Sequence, residues 1–169
     1  MLQKCPVTHW QRIERHNAVV RKVRDHCTKK SWPVEEEPQI RHSDGTLFKP
    51  DLAIHLPFGR TVICDVQISW ETSRPMGQEW DSKRLVYDNT KFRKAASRYW
   101  ATKSLIFLPL TFVARGTWPR SNASTAKELQ FTAAFKRSCV VGVLKGGVLI
   151  HSAFNRAIWS YRKRNRVVY

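Results

Sequence analysis

Acidic residues are scarce in this chain. Asp and Glu number 13 against 30 Lys and Arg, which gives a net charge of +17 and a pI near 10.4. Such a balance says nothing about fold, but it favours a polyanionic partner. Nucleic acid is the first candidate, with ribosomal or membrane-surface binding as alternatives. Cysteine is scarce too: four scattered residues make no disulfide framework. No apolar run reaches membrane-spanning length and no signal peptide is visible, so the expectation is a soluble, intracellular chain. Internal repeats and low-complexity tracts are missing as well. A length of 169 residues fits one domain with a real core.

What is present is organised around residues 49–71, KPDLAIHLPFGRTVICDVQISWE. Period-2 patterning predicts two antiparallel strands, about 48–56 and 60–69, turning at Pro57, Phe58 and Gly59. On the second strand Val62, Cys64, Val66 and Ile68 share one face, opposite Ile63, Asp65, Gln67 and Ser69. On the first, Leu52, Ile54 and Leu56 oppose Asp51, Ala53 and His55. Cys64 then reads as a buried core thiol. Folding the hairpin about Phe58 sets 55 against 61, 53 against 63, and Asp51 against Asp65. Like charges directly opposed are destabilising. A divalent cation between them is the simplest reason for the pair, because hard cations bind through one or two carboxylates plus phosphates. The alternative is a slipped register that leaves both Asp as exposed strand-end residues.

Pro50-Asp51, then Asp65-x-Gln67, then a Lys-bearing helix resembles the PD-(D/E)XK nuclease signature. The closer resemblance is to the restriction-like endonuclease of site-specific non-LTR retrotransposons, which lies C-terminal to the reverse transcriptase. There a KPDL-like strand precedes a strand such as Asp65-Val66-Gln67-Ile68-Ser69-Trp70-Glu71. Gln67 holds the place of the usual Lys. The resemblance puts the displaced Lys on the next helix, in a pattern that Tyr87, Lys91 and Lys94 match. It extends from Cys5 to about residue 129. It implies a fragment of a reverse transcriptase polyprotein that acts in the nucleus as a metal-dependent DNA endonuclease and nicks double-stranded target DNA to prime reverse transcription.

The resemblance assigns Mg²⁺ or Mn²⁺ to Asp51 and Asp65, with the main-chain carbonyl of Gln67 as a further ligand. Glu71 either holds a second metal through water or salt-bridges to a neighbouring Arg. Partners implied are target DNA, the reverse transcriptase domain and element RNA, with no membrane. Cys5-Pro6 matches the end of the zinc knuckle that precedes this domain in the family. The other three ligands are not in the sequence, so zinc is not expected here. The alternative function is a catalytically silent nucleic-acid-binding remnant of such an element. An unrelated basic RNA-binding protein is the outside reading, and it has no use for opposed carboxylates.

The remaining sequence sorts into α and β segments. Thr8 to Gln11 fits a capping box. It opens a helix whose Trp10, Ile13, Asn17, Val20, Val23 and Cys27 mark the packed face. Arg12, Arg15, Arg21, Lys22 and Arg24 form the other face, either solvated or on phosphates. His16-Asn17 also resembles the family, with packing as its default role. Residues 32–34 suggest a short edge strand, and Glu35 to Glu37 a solvated loop. Residues 80–100 read as one helix with Leu85, Phe92, Ala96 and Tyr99 on its apolar stripe. Beside that stripe Arg84, Tyr87, Lys91, Lys94 and Arg98 make a second one. Lys91 is the preferred catalytic lysine and Lys94 the reserve, each able to run along the core and lift its ammonium to the sheet. Without the resemblance both are a solvated basic face.

Residues 104–115 predict a buried strand with Pro109 as a bulge or break. A capping box at Thr125 to Glu128 predicts a helix to about 138. Gly146-Gly147 predicts another break, before a last helix striped by Ile150, Phe154, Ala157, Ile158 and Tyr161. That helix ends in a basic run. Lys49, Arg84, Arg98, Arg162, Lys163 and Arg164 are the candidate nucleic-acid contacts. The whole predicts an α/β, restriction-endonuclease-like core with a small mixed sheet flanked by helices. Its divisions are a first helix at 1–30, the core at 31–140, and a basic helix at 141–169 packed on it.

Overall fold

A computed structural model describes residues 5–69, 76–102 and 104–165, with 76–80 and 162–165 described as backbone alone. Glu71 lies outside the described residues, as do the side chains of Arg162, Lys163 and Arg164. The chain runs through helix α1 (His9–Thr28) and strands β1 (Val34–Glu36), β2 (Ile40–Arg41), β3 (Leu47–Phe48), β4 (Leu52–Leu56), β5 (Arg60–Cys64) and β6 (Val66–Ser69). Helices α2 (Met76–Tyr87) and α3 (Thr90–Trp100) follow. Then come β7 (Ser104–Phe107), β8 (Leu110–Val113), α4 (Ala123–Glu128) and α5 (Ala133–Asn165).

The centre is a small mixed sheet in the order β1-β4-β5-β7, antiparallel except for the parallel β5–β7 pair. Strands β6 and β8 pair in parallel beyond it. Alternation decides what each face meets. Leu52, Ile54, Leu56, Val62, Cys64 and Val66 pack with Val19, Val20, Val23 and Cys27 of α1 and with Cys139 and Val143 of α5. Ala53 and Ile63, on the opposite face, pack with Tyr87 of α2 and Phe92, Ala95 and Ala96 of α3. The protein is thus a mixed α/β domain, with helices on both faces of the sheet.

The hairpin register pairs His55 with Thr61, Ala53 with Ile63, and Leu52 with Cys64. That is the register expected from a fold about Phe58. The second strand, however, is not continuous. It breaks at Asp65, and the parallel partner breaks opposite it at Leu108-Pro109. The sheet holds across the break through Leu108 N–H to Ile63 O at 3.0 Å and Leu110 N–H to Asp65 O at 2.9 Å. Pro109 cannot donate to a ladder, so the bend falls where no donor is lost.

Several expectations are corrected. The helix predicted over residues 80–100 is two helices. Asn89 caps the second, its Oδ1 accepting from Phe92 N–H at 2.9 Å. The Glu run is not a loop. Glu35 and Glu36 lie in β1, and Glu35 Oε1 accepts from His55 Nε2 at 3.0 Å and Trp100 Nε1 at 2.9 Å. Thr8 makes no side-chain cap to α1; its hydroxyl turns back to Cys5 O at 3.1 Å. Arg15 is buried and Trp10 exposed, the reverse of the expected faces.

The long helix α5 explains that reversal. It runs unbroken through Gly146-Gly147, so the expected division at 140/141 falls inside one helix. A Cβ on Gly146 would stand 2.5 Å from Arg15 Cγ. Glycine there lets α1 approach closely enough to bury the Arg15 stem. The Thr125 capping box is likewise not formed, because α4 has already begun at Ala123. The buried Thr125 hydroxyl instead donates to Pro109 O at 2.8 Å and pins the sheet break.

Candidate functional site

Asp51 and Asp65 meet at the sheet break. Asp51 immediately precedes β4, and Asp65 is the residue between β5 and β6. Asp51 Oδ2 accepts from the backbone N–H of Val66 at 2.6 Å, which ties the first acid to the residue after the second. Asp65 is 4% exposed. A cavity of about 450 Å³ opens on the Asp51 side, lined by His16, Asn17, Val20, Arg21, Arg24, Glu36 and Glu37 as well as Asp51.

Each carboxylate has its own cation. Lys83 of α2 places Nζ 2.6 Å from Asp65 Oδ2. His16 of α1 places Nε2 3.1 Å from Asp51 Oδ2 and 3.1 Å from Val66 O, with Nδ1 3.2 Å from Asn17 Oδ1. Asp51 Oδ2 and Val66 O are both acceptors, so Nε2 donates, and an acceptor at Asn17 Oδ1 favours the imidazolium form. Burial opposes that charge. The hydrogen bond and charge of Asp51, with Asn17 and Val66 O, outweigh it and raise the pKa to about 9. Burial and the neighbouring charge of Asp51 push Asp65 above the usual carboxylate range, partly offset by Lys83 and Tyr87.

Tyr87 joins the two acidic segments. Its hydroxyl lies 3.3 Å from Asp65 Oδ1 and 3.2 Å from the Lys49 carbonyl, just ahead of Pro50-Asp51. The ring stacks on Phe107 with centroids 5.8 Å apart, so the phenol is fixed by packing as well as by polar contacts. Burial and the charge of Asp65 raise the Tyr87 pKa, so it serves as a neutral donor.

The expected lysines are elsewhere. Lys91 pairs with Asp44 at 2.9 Å, and Lys94 is exposed on α3. The ammonium on the site is that of Lys83, because α2 and α3 are separate helices and the spacing from Tyr87 does not carry across the break. Lys83 and Tyr87 are four apart within α2 and so share a face. That four-residue spacing lies in the sequence, but the Lys91 and Lys94 spacing competes with it until the Asn89 cap divides the two helices. The His16-Asn17 pair was visible too, but its contact with Asp51 spans 35 residues and needs the tertiary fold.

Of the proposed nucleic-acid contacts, Lys49 pairs with Glu37 at 2.6 Å and Arg84 with Asp88 at 3.0 Å, while Arg98 is exposed on α3. Gln67 faces Thr111 in the β6–β8 ladder, and its side-chain Oε1 is buried without a hydrogen-bond partner. Two carboxylates and a main-chain carbonyl such as that expected of Gln67 are hard oxygen donors of the kind Mg²⁺ or Mn²⁺ takes. Among the described residues no three His, Cys, Asp or Glu side chains converge as a metal cluster. The two carboxylates, completed by oxygens from water or substrate, are a donor set that fits such a cation.

No protein-family model matches the chain. It is 52% identical over 162 residues to a retrovirus-related Pol polyprotein from type-1 retrotransposable element R2 of Popillia japonica, across 96% of this chain and 27% of that protein. A second such polyprotein from Popillia japonica is 48% identical over 164 residues, across 97% of this chain and 37% of its own length. One from Bradysia coprophila is 24% identical over 154 residues, covering 91% of this chain and 17% of itself. The chain therefore spans well under half the length of the curated relatives it matches. Over nearly all of its own length, it is homologous to one segment of the Pol polyproteins of R2 retrotransposable elements.

Proposed function

We propose that this domain is a metal-dependent DNA endonuclease with a restriction-endonuclease-like core, which nicks double-stranded target DNA to give reverse transcription its primer end. The observation that carries the reading is the pair Asp51 and Asp65, drawn together at the sheet break with Lys83 on the second acid. In this reading Asp51 and Asp65, with the main-chain carbonyl of Gln67, would hold Mg²⁺ or Mn²⁺. The bound metal lowers the pKa of its water and neutralises charge on the phosphate.

The chain's own groups do the rest. Lys83 offsets part of the burial cost of the Asp65 charge. Its side chain is 35% exposed, so its ammonium is open to a phosphate oxygen at the same edge. His16 orients Asp51 from the α1 side. Tyr87 fixes Asp65 against the Lys49 carbonyl, so neither carboxylate swings when substrate enters. Arg21 and Arg24 line the cavity beside Asp51 and supply cations for backbone phosphates. The reverse transcriptase portion of the longer polyprotein and the element's RNA are the proposed partners, in the nucleus.

Plasmid nicking with Mg²⁺ or Mn²⁺ at low salt tests the reading, comparing wild type with Asp65→Ala. Metal-dependent nicking by wild type and none by the variant is the expected result. A folded wild-type protein that binds DNA as its variant does and nicks nothing would leave a silent nucleic-acid-binding remnant instead. If six to ten phosphates are touched, binding falls about 10³–10⁵-fold between 50 and 200 mM salt.

A further inference from the structure

At the far end of the hairpin, one residue is explained by neither packing nor turn chemistry. Phe58 is 94% exposed, and its backbone lies in the left-handed region at φ +64°, ψ +26°. Gly59 follows at φ +72°. Leu56 pairs with Arg60, so the loop is Pro57-Phe58-Gly59, and Asn, Asp or Gly would meet the positive φ at its centre at little cost. A bulky aromatic there is an outlier. Four other non-glycine residues share the sign of φ among the described residues: Ser31, Glu37, Ala101 and Gln130. Ser31, Ala101 and Gln130 lie just past the ends of α1, α3 and α4, where such a conformation is ordinary. Glu37 follows β1 and its N–H is held by Asp51 O at 2.9 Å. Phe58 gains no packing for its strain and presents its whole ring to solvent.

The surroundings of the ring are cationic and aromatic. Phe58 borders a cavity of about 470 Å³ with Lys30, Trp32, Arg60 and Gln130. The Lys30 ammonium stands 5.4 Å from the centre of the Trp32 ring and 2.8 Å from Gln130 Oε1. Arg60 is held at 2.8 Å by Glu128, which fixes its guanidinium at the rim. An exposed ring next to an aromatic wall, with two cations at the edge, is the arrangement that stacks an unpaired base while the cations meet the flanking phosphates. The +17 charge of the chain favours a polyanion over an apolar protein surface as the occupant.

We propose that Phe58 and the adjoining Lys30–Trp32–Arg60 cavity form a second nucleic-acid site, which stacks an unpaired or unstacked nucleobase. The site is remote from the two Asp residues. The five residues of β4 separate them, roughly 17 Å of extended chain. It therefore grips nucleic acid several base steps from the hydrolytic centre. The proposal rests on the DNA-binding part of the function above and not on hydrolysis.

The test is binding in EDTA at low salt, where no cleavage intervenes. The probes are a short DNA duplex with one unpaired base and the same duplex fully paired, measured with wild type, Phe58→Asn and Phe58→Trp. Phe58→Asn is expected to bind the bulged duplex about tenfold more weakly and the paired duplex as wild type does. Its melting temperature should equal or exceed that of wild type, since Asn accepts the turn conformation. Phe58→Trp should keep the preference for the bulge. Equal binding of both duplexes by wild type would overturn the proposal. Loss of both probes together in Phe58→Asn, or failure of Trp to substitute, would overturn it too. Asp65→Ala should retain the preference, so loss of nicking and loss of stacking are separable.

Discussion

Helices α2 and α3 follow each other with two residues between them, yet they contribute to different things. From α2, Lys83 and Tyr87 reach the second acid. From α3, Phe92, Ala95 and Ala96 fill the core, while Lys91 and Lys94 stay outside. The difference shows that a helical stripe is meaningful only within one helix. Asp88 and Asn89 interrupt the 3.6-residue phase, so a stripe of cations read across them joins side chains that face different ways.

The sharpest way to break this contrast is to remove one lysine from each helix. Lys83→Ala should lower nicking about 10²–10³-fold. Lys91→Ala should leave the rate nearly unchanged, and equal losses in both variants would erase the distinction. Tyr87→Phe tests whether the α2 hydroxyl positions Asp65. The ring stays in the core, so folding should hold while metal affinity or nicking drops about tenfold.

The joint between the helices is next. Asn89→Ala removes the cap on α3 and should cost about 1 kcal/mol in a denaturant melt. Asp88 bridges the joint, accepting from Arg84 of α2 at 3.0 Å and from Arg93 Nε of α3 at 2.8 Å. Burial works against its charge, but Arg93 and Arg84 outweigh it and hold the carboxyl below its ordinary pKa. A depressed carboxylate contributes stability that is present above the unfolded pKa, about 3.9, and is lost as pH falls through the lower folded value. The stability gap between wild type and Asp88→Asn should therefore close on acidification below that range and stay constant near neutrality. Smallest of all is the Lys91–Asp44 pair. Lys91→Ala should shift the melting temperature less than Asn89→Ala does, an effect erased by salt. If α3 touches backbone phosphate, the salt slope of DNA binding should fall by about 1.

Much of the site was legible because it is local. Alternation placed Leu52, Ile54, Val62 and Cys64 on one core face, and the symmetric turn about Phe58 brought Asp51 near Asp65. The kink at Asp65 was less visible. It lies opposite Pro109 on another strand, 44 residues along the chain. The sequence sets Arg15 on a face for solvent or phosphates, because the bare backbone of Gly146 that it packs against lies on α5. On sequence alone the glycine pair predicts a break. The missing Cβ of Gly146 instead serves a close approach, and only the neighbouring helix reveals that use.

By itself, the sequence determined the polyanion-seeking charge, the hairpin and the two acids, since charge sums and period-2 alternation need no distant information. Only the tertiary structure decided which cations answer those acids. His16 and Lys83 come from opposite faces of the sheet, and that meeting depends on how α1 and α2 pack. Packing is set by side chains far apart in the chain, which no local pattern encodes.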